Sequence, residues 1–254
     1  MVVSIRRAAG PPARATLCLL PAVAVAAGLY AADSAWAALL LYHSWMVGAL
    51  LLAGRNLSRQ RRPTSGDVDA RTSFDGSARP PAGLGARTSG DLDAHISVDL
   101  FRGWSLRTAA PLLLIAAANG PAFIFLWRFA ARGSGGPGPV LATLGLSGIG
   151  LVGFALWYCT VHPLLEEAYW RGLLGSGDAR PVAADAAFAA YHVLVLRLFL
   201  APAWTAAAFV ILTATAWGWR RVAQRYGGLA IPAASHAAAG VSTMAAVFRL
   251  LGGG

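Results

Sequence analysis

The chain has no lysine: every one of its 21 basic residues is arginine. Charge of either sign is scarce, 13% of 254 residues against the roughly 25% of a soluble domain, and that excludes an ordinary water-soluble fold. Cysteine is limited to Cys18 and Cys159, both in apolar stretches with no spacing motif, which excludes a disulfide framework and a thiolate metal site. The absence of lysine, beside heavy Ala, Gly and Pro usage, reads as a GC-rich bacterial coding bias. A formal charge of +10 invites a nucleic-acid partner. The arginines instead fall in short loops beside apolar segments, where they set membrane topology, so no nucleic acid is expected.

What is abundant is apolar: 57% of residues are hydrophobic and the mean hydropathy is +0.56. A membrane span takes about 20 largely apolar residues. Runs of that kind lie near 15–32, 35–53, 108–127, 141–174, 182–200, 203–219 and 229–250. The expected fold is therefore all-α, a polytopic membrane protein of about seven transmembrane helices in a lipid bilayer. The fourth run carries Gly145, Gly148, Gly150, Gly153 and Pro163 and is expected to kink or break. Arg6, Arg7 and Arg14, then Arg55, Arg59, Arg61 and Arg62, then Arg180, then Arg220, Arg221 and Arg225 fall on one side of such a bundle. Arg128, Arg132 and Arg197 run against the pattern. The arginine excess predicts a cytoplasmic N-terminus and an external C-terminus, in a bacterial inner (plasma) membrane. Basic residues ahead of the first run and Ala35-Trp36-Ala37 after it have the outline of a cleavable signal peptide. Retention is the expectation, because removal would put the arginine-rich 54–62 stretch outside.

Three parts follow: two N-terminal spans over 1–53, a polar segment over 54–107, and a core over 108–254. The middle part is rich in Gly, Ser, Pro, Asp and Arg, a composition that buries too little apolar surface to fold, and it predicts a disordered cytoplasmic loop. Within it, Thr64-Ser65-Gly66-Asp67-Val68-Asp69-Ala70 returns as Thr88-Ser89-Gly90-Asp91-Leu92-Asp93-Ala94. The aspartates resemble half of a calcium loop, but both copies lack its bidentate glutamate.

The residues fit for chemistry stand in the core. His162-Pro163-Leu164-Leu165-Glu166-Glu167-Ala168-Tyr169-Trp170-Arg171-Gly172 puts two carboxylates and an arginine at membrane depth, where ionisable groups persist mainly to do work. On a helix, Glu167 and Arg171 are one turn apart in the favourable order for an ion pair. Glu166 points about 100° away, so the arginine need not neutralise it. His162 shares the Glu166 face and could assist the site, though a histidine at a helix start by the interface is the commoner case. His192 and His236 each sit in a later span with few other polar side chains. A carboxylate and an imidazole can hold and deprotonate a water, and a second imidazole can stabilise an oxyanion. Glu166, His192 and His236 are also a possible three-ligand zinc set, though no His-Glu-x2-His is present.

Glu166-Glu167-x3-Arg171, Phe188-x3-His192 and His236, in consecutive spans, resemble the three ordered motifs of the CPBP family. That family includes the type II CAAX prenyl proteases and the bacteriocin-processing and self-immunity (Abi) proteins. Trp170 and Gly172-Leu173-Leu174 fit the same first motif, and the resemblance covers roughly 140–250. It implies an intramembrane glutamic endopeptidase in which Glu166 and His192 activate the water. Glu167 and Arg171 would shape the site, and His236 would stabilise the tetrahedral intermediate. Zinc is the one cofactor in view, and a membrane-anchored protein or peptide is the implied substrate. The family's third motif is usually His-x3-Asn, and here the last position is Gly240. Loss of one oxyanion donor slows such reactions by about 100- to 1000-fold.

Three other readings compete. A non-catalytic immunity or scaffold protein of the same fold would explain Gly240. A proton-coupled transporter would use the same carboxylate and histidines, but the inverted repeats that favour it are not evident. Gly145-Leu146-Ser147-Gly148 matches the rhomboid serine-protease signature, yet leaves Glu166, Glu167 and Arg171 without a role.

Overall fold

The computed structural model describes residues 2–5, 11–60, 96–99, 102–133 and 136–252. Among the described residues the architecture is helical, apart from an antiparallel two-stranded ribbon in which β1 (Val2–Ile5) pairs with β2 (Ile96–Asp99). Eight α-helices follow among the described residues, in chain order: α1 (Pro11–Ala26), α2 (Ala35–Gln60), α3 (Leu106–Ala130), α4 (Gly138–Thr143), α5 (Gly148–Glu166), α6 (Ala183–Leu196), α7 (Pro202–Tyr226) and α8 (Ala230–Gly252). Two π-helical turns extend them, Ala27–Ala31 after α1 and Glu167–Leu173 after α5.

Among the described residues, five helical stretches are long and apolar enough to cross a membrane: Pro12–Ala31, Ala35–Arg55, Leu106–Ala130, Gly148–Leu173 and Ala230–Gly252. The two further runs of the sequence differ for separate reasons. Helix α6 has 14 residues, a rise of about 21 Å against a hydrocarbon core of about 30 Å. Helix α7 is long, but Thr205, Thr213 and Thr215 interrupt its apolar run before Arg220, Arg221 and Arg225 close it. The fourth run also starts later than its hydropathy suggests, since 138–143 forms a helix of its own.

The polar middle segment is shorter than 54–107. Residues 54–60 continue α2, 96–99 form β2 and 106–107 open α3, while 61–95, with both copies of the repeat, lie outside the described residues. Helix α3 begins where Ser105 and Thr108 cap each other's backbone N–H groups at 3.2 Å.

Helix α3 packs along α8 through small residues, as membrane helices do. The Gly120 N–H donates to the Ser242 hydroxyl at 2.7 Å, and that hydroxyl donates on to the Ala117 carbonyl. Helices α1 and α2 form a hairpin, with α1 against α6, α6 against α7, and α5 between α2 and α8. Tyr169, in the second π turn, donates to the Leu17 carbonyl at 2.6 Å and accepts from Trp45 Nε1 at 2.9 Å. That turn is thereby fastened to both N-terminal helices.

The arginines separate by end. Arg14 donates to the Leu174 carbonyl and Arg220 to the carbonyls of Ser176, Asp178 and Arg180, all at the end where α5 finishes. Arg132 donates to the Arg197 carbonyl at the opposite end, and Arg197 lies over the Tyr30 ring.

Candidate functional site

Glu166 and Glu167 are the only glutamates in the chain, and both are fully enclosed, at 0% and 1% exposure. Pro163 has no N–H to continue the α-helical ladder, and after Glu166 the chain widens into the π turn Glu167–Leu173. Such turns are frequent at functional sites. The turn buries Glu167, Tyr169, Trp170 and Arg171 together, rather than sending one side of the helix to lipid.

Four of the five histidines gather around these carboxylates. His236, from α8, lies between them: its Nε2 is 3.4 Å from Glu166 Oε2 and its Nδ1 is 3.1 Å from Glu167 Oε1. Arg171 completes the far side, 3.2 Å from Glu167 Oε1, with its guanidinium over the rings of Phe188 and Trp219. Trp219 stacks on His236 with 4.5 Å between ring centres. Glu166 has no arginine. Its Oε1 accepts from the hydroxyls of Tyr42 and Tyr191, and Trp170 Nε1 donates to Tyr42.

His192 and His162 exchange the places the sequence suggested for them. His192 is half-buried, and its Nδ1 donates to the Phe188 carbonyl at 2.9 Å. Its Nε2 faces the Tyr191 hydroxyl at 3.1 Å, so it reaches Glu166 through Tyr191. His162 is not an interfacial histidine: it is 4% exposed, one helical turn before Glu166, with Nε2 3.5 Å from Glu166 Oε2. Behind it stands His43 of α2, whose Nε2 is 3.0 Å from His162 Nδ1 and whose Nδ1 donates to the Leu39 carbonyl at 2.8 Å. The ligand-like atoms that converge within 4.8 Å therefore belong to His162, Glu166 and His236. His192, of the set Glu166, His192 and His236, is not among them: its Nε2 faces the Tyr191 hydroxyl.

Tyr42, His43, His162 and Tyr191 are the participants that sequence reasoning missed or undervalued. His43 carries the same signal as His192, a lone imidazole in an apolar span. Tyr191 stands beside His192 and Tyr42 beside His43.

A cavity of about 220 Å³ reaches this cluster from one side, where Tyr42, His162, Tyr191 and His192 line it. The rest of its wall is apolar, including Leu29, Phe123, Trp127, Leu141, Phe154 and Val247.

The rhomboid-like serine stands elsewhere. Ser147 is exposed at the start of α5, about 28 Å along the helix from Glu166. Gly145 and Gly148 are there because the turn into the helix takes positive φ at both, +75° and +49°.

Comparison with protein-family models finds no match, and comparison with curated proteins and with solved structures finds none either.

Proposed function

We propose that the chain is an intramembrane endopeptidase of CPBP type, hydrolysing a peptide bond of a membrane-anchored protein or peptide. The observation that carries this reading is an arginine-free carboxylate, Glu166, buried at membrane depth beside two imidazole nitrogens and an apolar cavity. A water held by Glu166 Oε2 and the Nε2 atoms of His162 and His236 donates its protons inward and keeps a lone pair for a carbonyl carbon in the cavity. Glu166 takes the proton as the C–O bond forms and returns it to the leaving amine. His236, held by Glu167, keeps its Nε2 on the second proton of that water, which becomes the hydroxyl of the tetrahedral intermediate. Tyr191 ties His192 to Glu166 and shares the charge on that carboxylate. The apolar wall suits a hydrophobic segment better than a polar peptide.

The same reading takes α6 and α7 as the fifth and sixth of seven crossings, in a bacterial inner membrane. The end with Arg14, Arg180, Arg220, Arg221 and Arg225 is cytoplasmic, as the positive-inside rule favours, with the site in that half. A non-catalytic immunity or scaffold protein is the second reading, and Gly240 in place of the family asparagine is what favours it.

Purified protein in lipid nanodiscs, given fluorogenic peptides that carry an apolar anchor, tests the activity. Cleavage by the wild type and none by folded Glu166→Gln is the expected result. Cleavage that survives Glu166→Gln removes Glu166 from the chemistry, and no cleavage of any anchored peptide moves the chain to the second reading.

A further inference from the structure

Hydrogen-bond roles around Glu166 can be assigned one atom at a time. A carbonyl only accepts, so His43 Nδ1 carries the proton it gives to Leu39. A neutral ring has one donor and one acceptor, which makes His43 Nε2 the acceptor and His162 Nδ1 the donor across their 3.0 Å contact. His162 Nε2 is then a bare lone pair. Glu167 Oε1 likewise fixes the proton of His236 on Nδ1 and leaves its Nε2 bare. Both tyrosine hydroxyls go to Glu166 Oε1, so Oε2 has no protein donor. Three acceptors, His162 Nε2, Glu166 Oε2 and His236 Nε2, thus face one another in a closed interior. His162 Nε2 and Glu166 Oε2 are both buried without a hydrogen-bond partner. Acceptors repel unless something positive lies between them.

Two of the three spacings are given by the Glu166 contacts, and the third is at most 4.8 Å. The contacts of 3.5 and 3.4 Å from Glu166 Oε2 are too long for charge-assisted hydrogen bonds, which run about 2.7–2.9 Å. Ligand atoms at tetrahedral angles, each 2.0–2.2 Å from a zinc ion, stand about 3.3–3.5 Å apart. We propose that His162, Glu166 and His236 form a site for a divalent transition metal of the zinc class, beside the cavity that His162 lines. Two imidazoles and one carboxylate are a donor set that such an ion accepts. Each ligand also has the outer partner that metal sites build: His43 behind His162, Glu167 behind His236, Tyr42 and Tyr191 on the second oxygen of Glu166. An ion here supplies Lewis-acid chemistry. The site stands on ligand geometry alone: with the ion bound, Glu166 Oε2 is a ligand and not the base of the peptidase reading.

The test uses full-length protein purified in detergent without chelator, then dialysed with zinc or cobalt. Elemental analysis is expected to give about one zinc per chain, and X-ray absorption two imidazoles and one oxygen at about 2.0–2.2 Å. His162→Ala and His236→Ala lose the metal, whereas His192→Ala keeps it. His43→Phe retains all three ligands and weakens zinc binding by about 10- to 100-fold, as loss of an outer partner does. Should His162→Ala not fold, the wild-type absorption spectrum and the His43→Phe titration decide. Zinc below a tenth of the chain concentration after dialysis overturns the site, as does loss of metal from His192→Ala with retention in His162→Ala. Metal bound without any cleavage leaves the site standing and removes only the peptidase; cleavage unaffected by chelation, with no metal bound, does the reverse.

Discussion

Glu166 and Glu167 are neighbours in sequence, with similar burial and opposite surroundings. Glu167 balances a guanidinium: Arg171 is its one charged partner and lies 3.2 Å away in an interior walled by Phe188 and Trp219. Glu167→Gln leaves Arg171 buried with no counter-ion, a change that costs about 3–5 kcal/mol. It is expected to lower the thermal midpoint in detergent along with any activity. Glu166→Gln swaps a carboxylate for an amide among hydroxyls and imidazoles, and is expected to keep the fold and lose the chemistry. An unchanged midpoint for Glu167→Gln would mean that water, not Glu167, balances the arginine.

Tyr191 is the second residue whose worth lies in position. Its hydroxyl donates to Glu166 Oε1 and stands 3.1 Å from His192 Nε2. Tyr191→Phe removes the link and leaves the ring in place. Cleavage by this variant is expected to fall to the level of His192→Ala, and the double variant to fall no further, since the two act as a unit. Additive losses would show that His192 acts independently of Tyr191.

At the scale of the elements, two buried ion pairs have different tasks. Arg220, read from the sequence as a topology-setting loop arginine, is 2% exposed and pairs with Asp185 at 2.8 Å. It also binds the carbonyls of Ser176, Asp178 and Arg180, while Asp185 accepts from the Val182 N–H. One side chain of α7 thus holds the 174–182 connection against the start of α6, and so sets the height of His192 and Tyr191. Arg220→Leu strands Asp185 and breaks this clamp. A destabilisation of about 3–5 kcal/mol is expected, visible as early proteolytic nicking within 174–182.

Gly240 belongs to the same scale. It is buried where α8 meets α5, and a Cβ there would sit 3.5 Å from the Tyr158 ring and carbonyl. Alanine fits that space at ordinary contact distance. Asparagine adds three heavy atoms toward Tyr158, which stacks on His162. Gly240→Ala is therefore expected to be near neutral in melting and activity, and Gly240→Asn to lower both. A rise in cleavage with asparagine would show that the missing family residue, not close helix packing, limits the chain.

For the whole molecule, every described helix that touches the site lies outside the 61–95 stretch, and that stretch has a composition that buries little apolar surface. Replacing residues 62–94 by a short Gly/Ser linker keeps β1 opposite β2. It is expected to preserve membrane insertion and the melting midpoint. Loss of inserted protein would make the segment part of the fold.

What the sequence determined by itself was the material: long apolar runs, helices to satisfy their backbone in lipid, and a carboxylate pair too costly to stand idle. The i, i+4 relation also makes the Glu167–Arg171 pair readable from spacing. Tertiary structure decided which polar groups share a cavity. His43 and Tyr42 lie more than a hundred residues from Glu166, and nothing local aims their side chains at it. His162 reads as interfacial until α2 and α8 are seen to cover it, and His192 reads as a ligand until Tyr191 is seen to stand between it and Glu166. Arg220 could be a loop charge or a clamp, and only the carbonyls of 176–180, folded back against it, choose. Hydropathy responds to one helix at a time and so marks burial and span. The partner of a buried charge depends on which helices pack together, and that is a property of the assembled bundle.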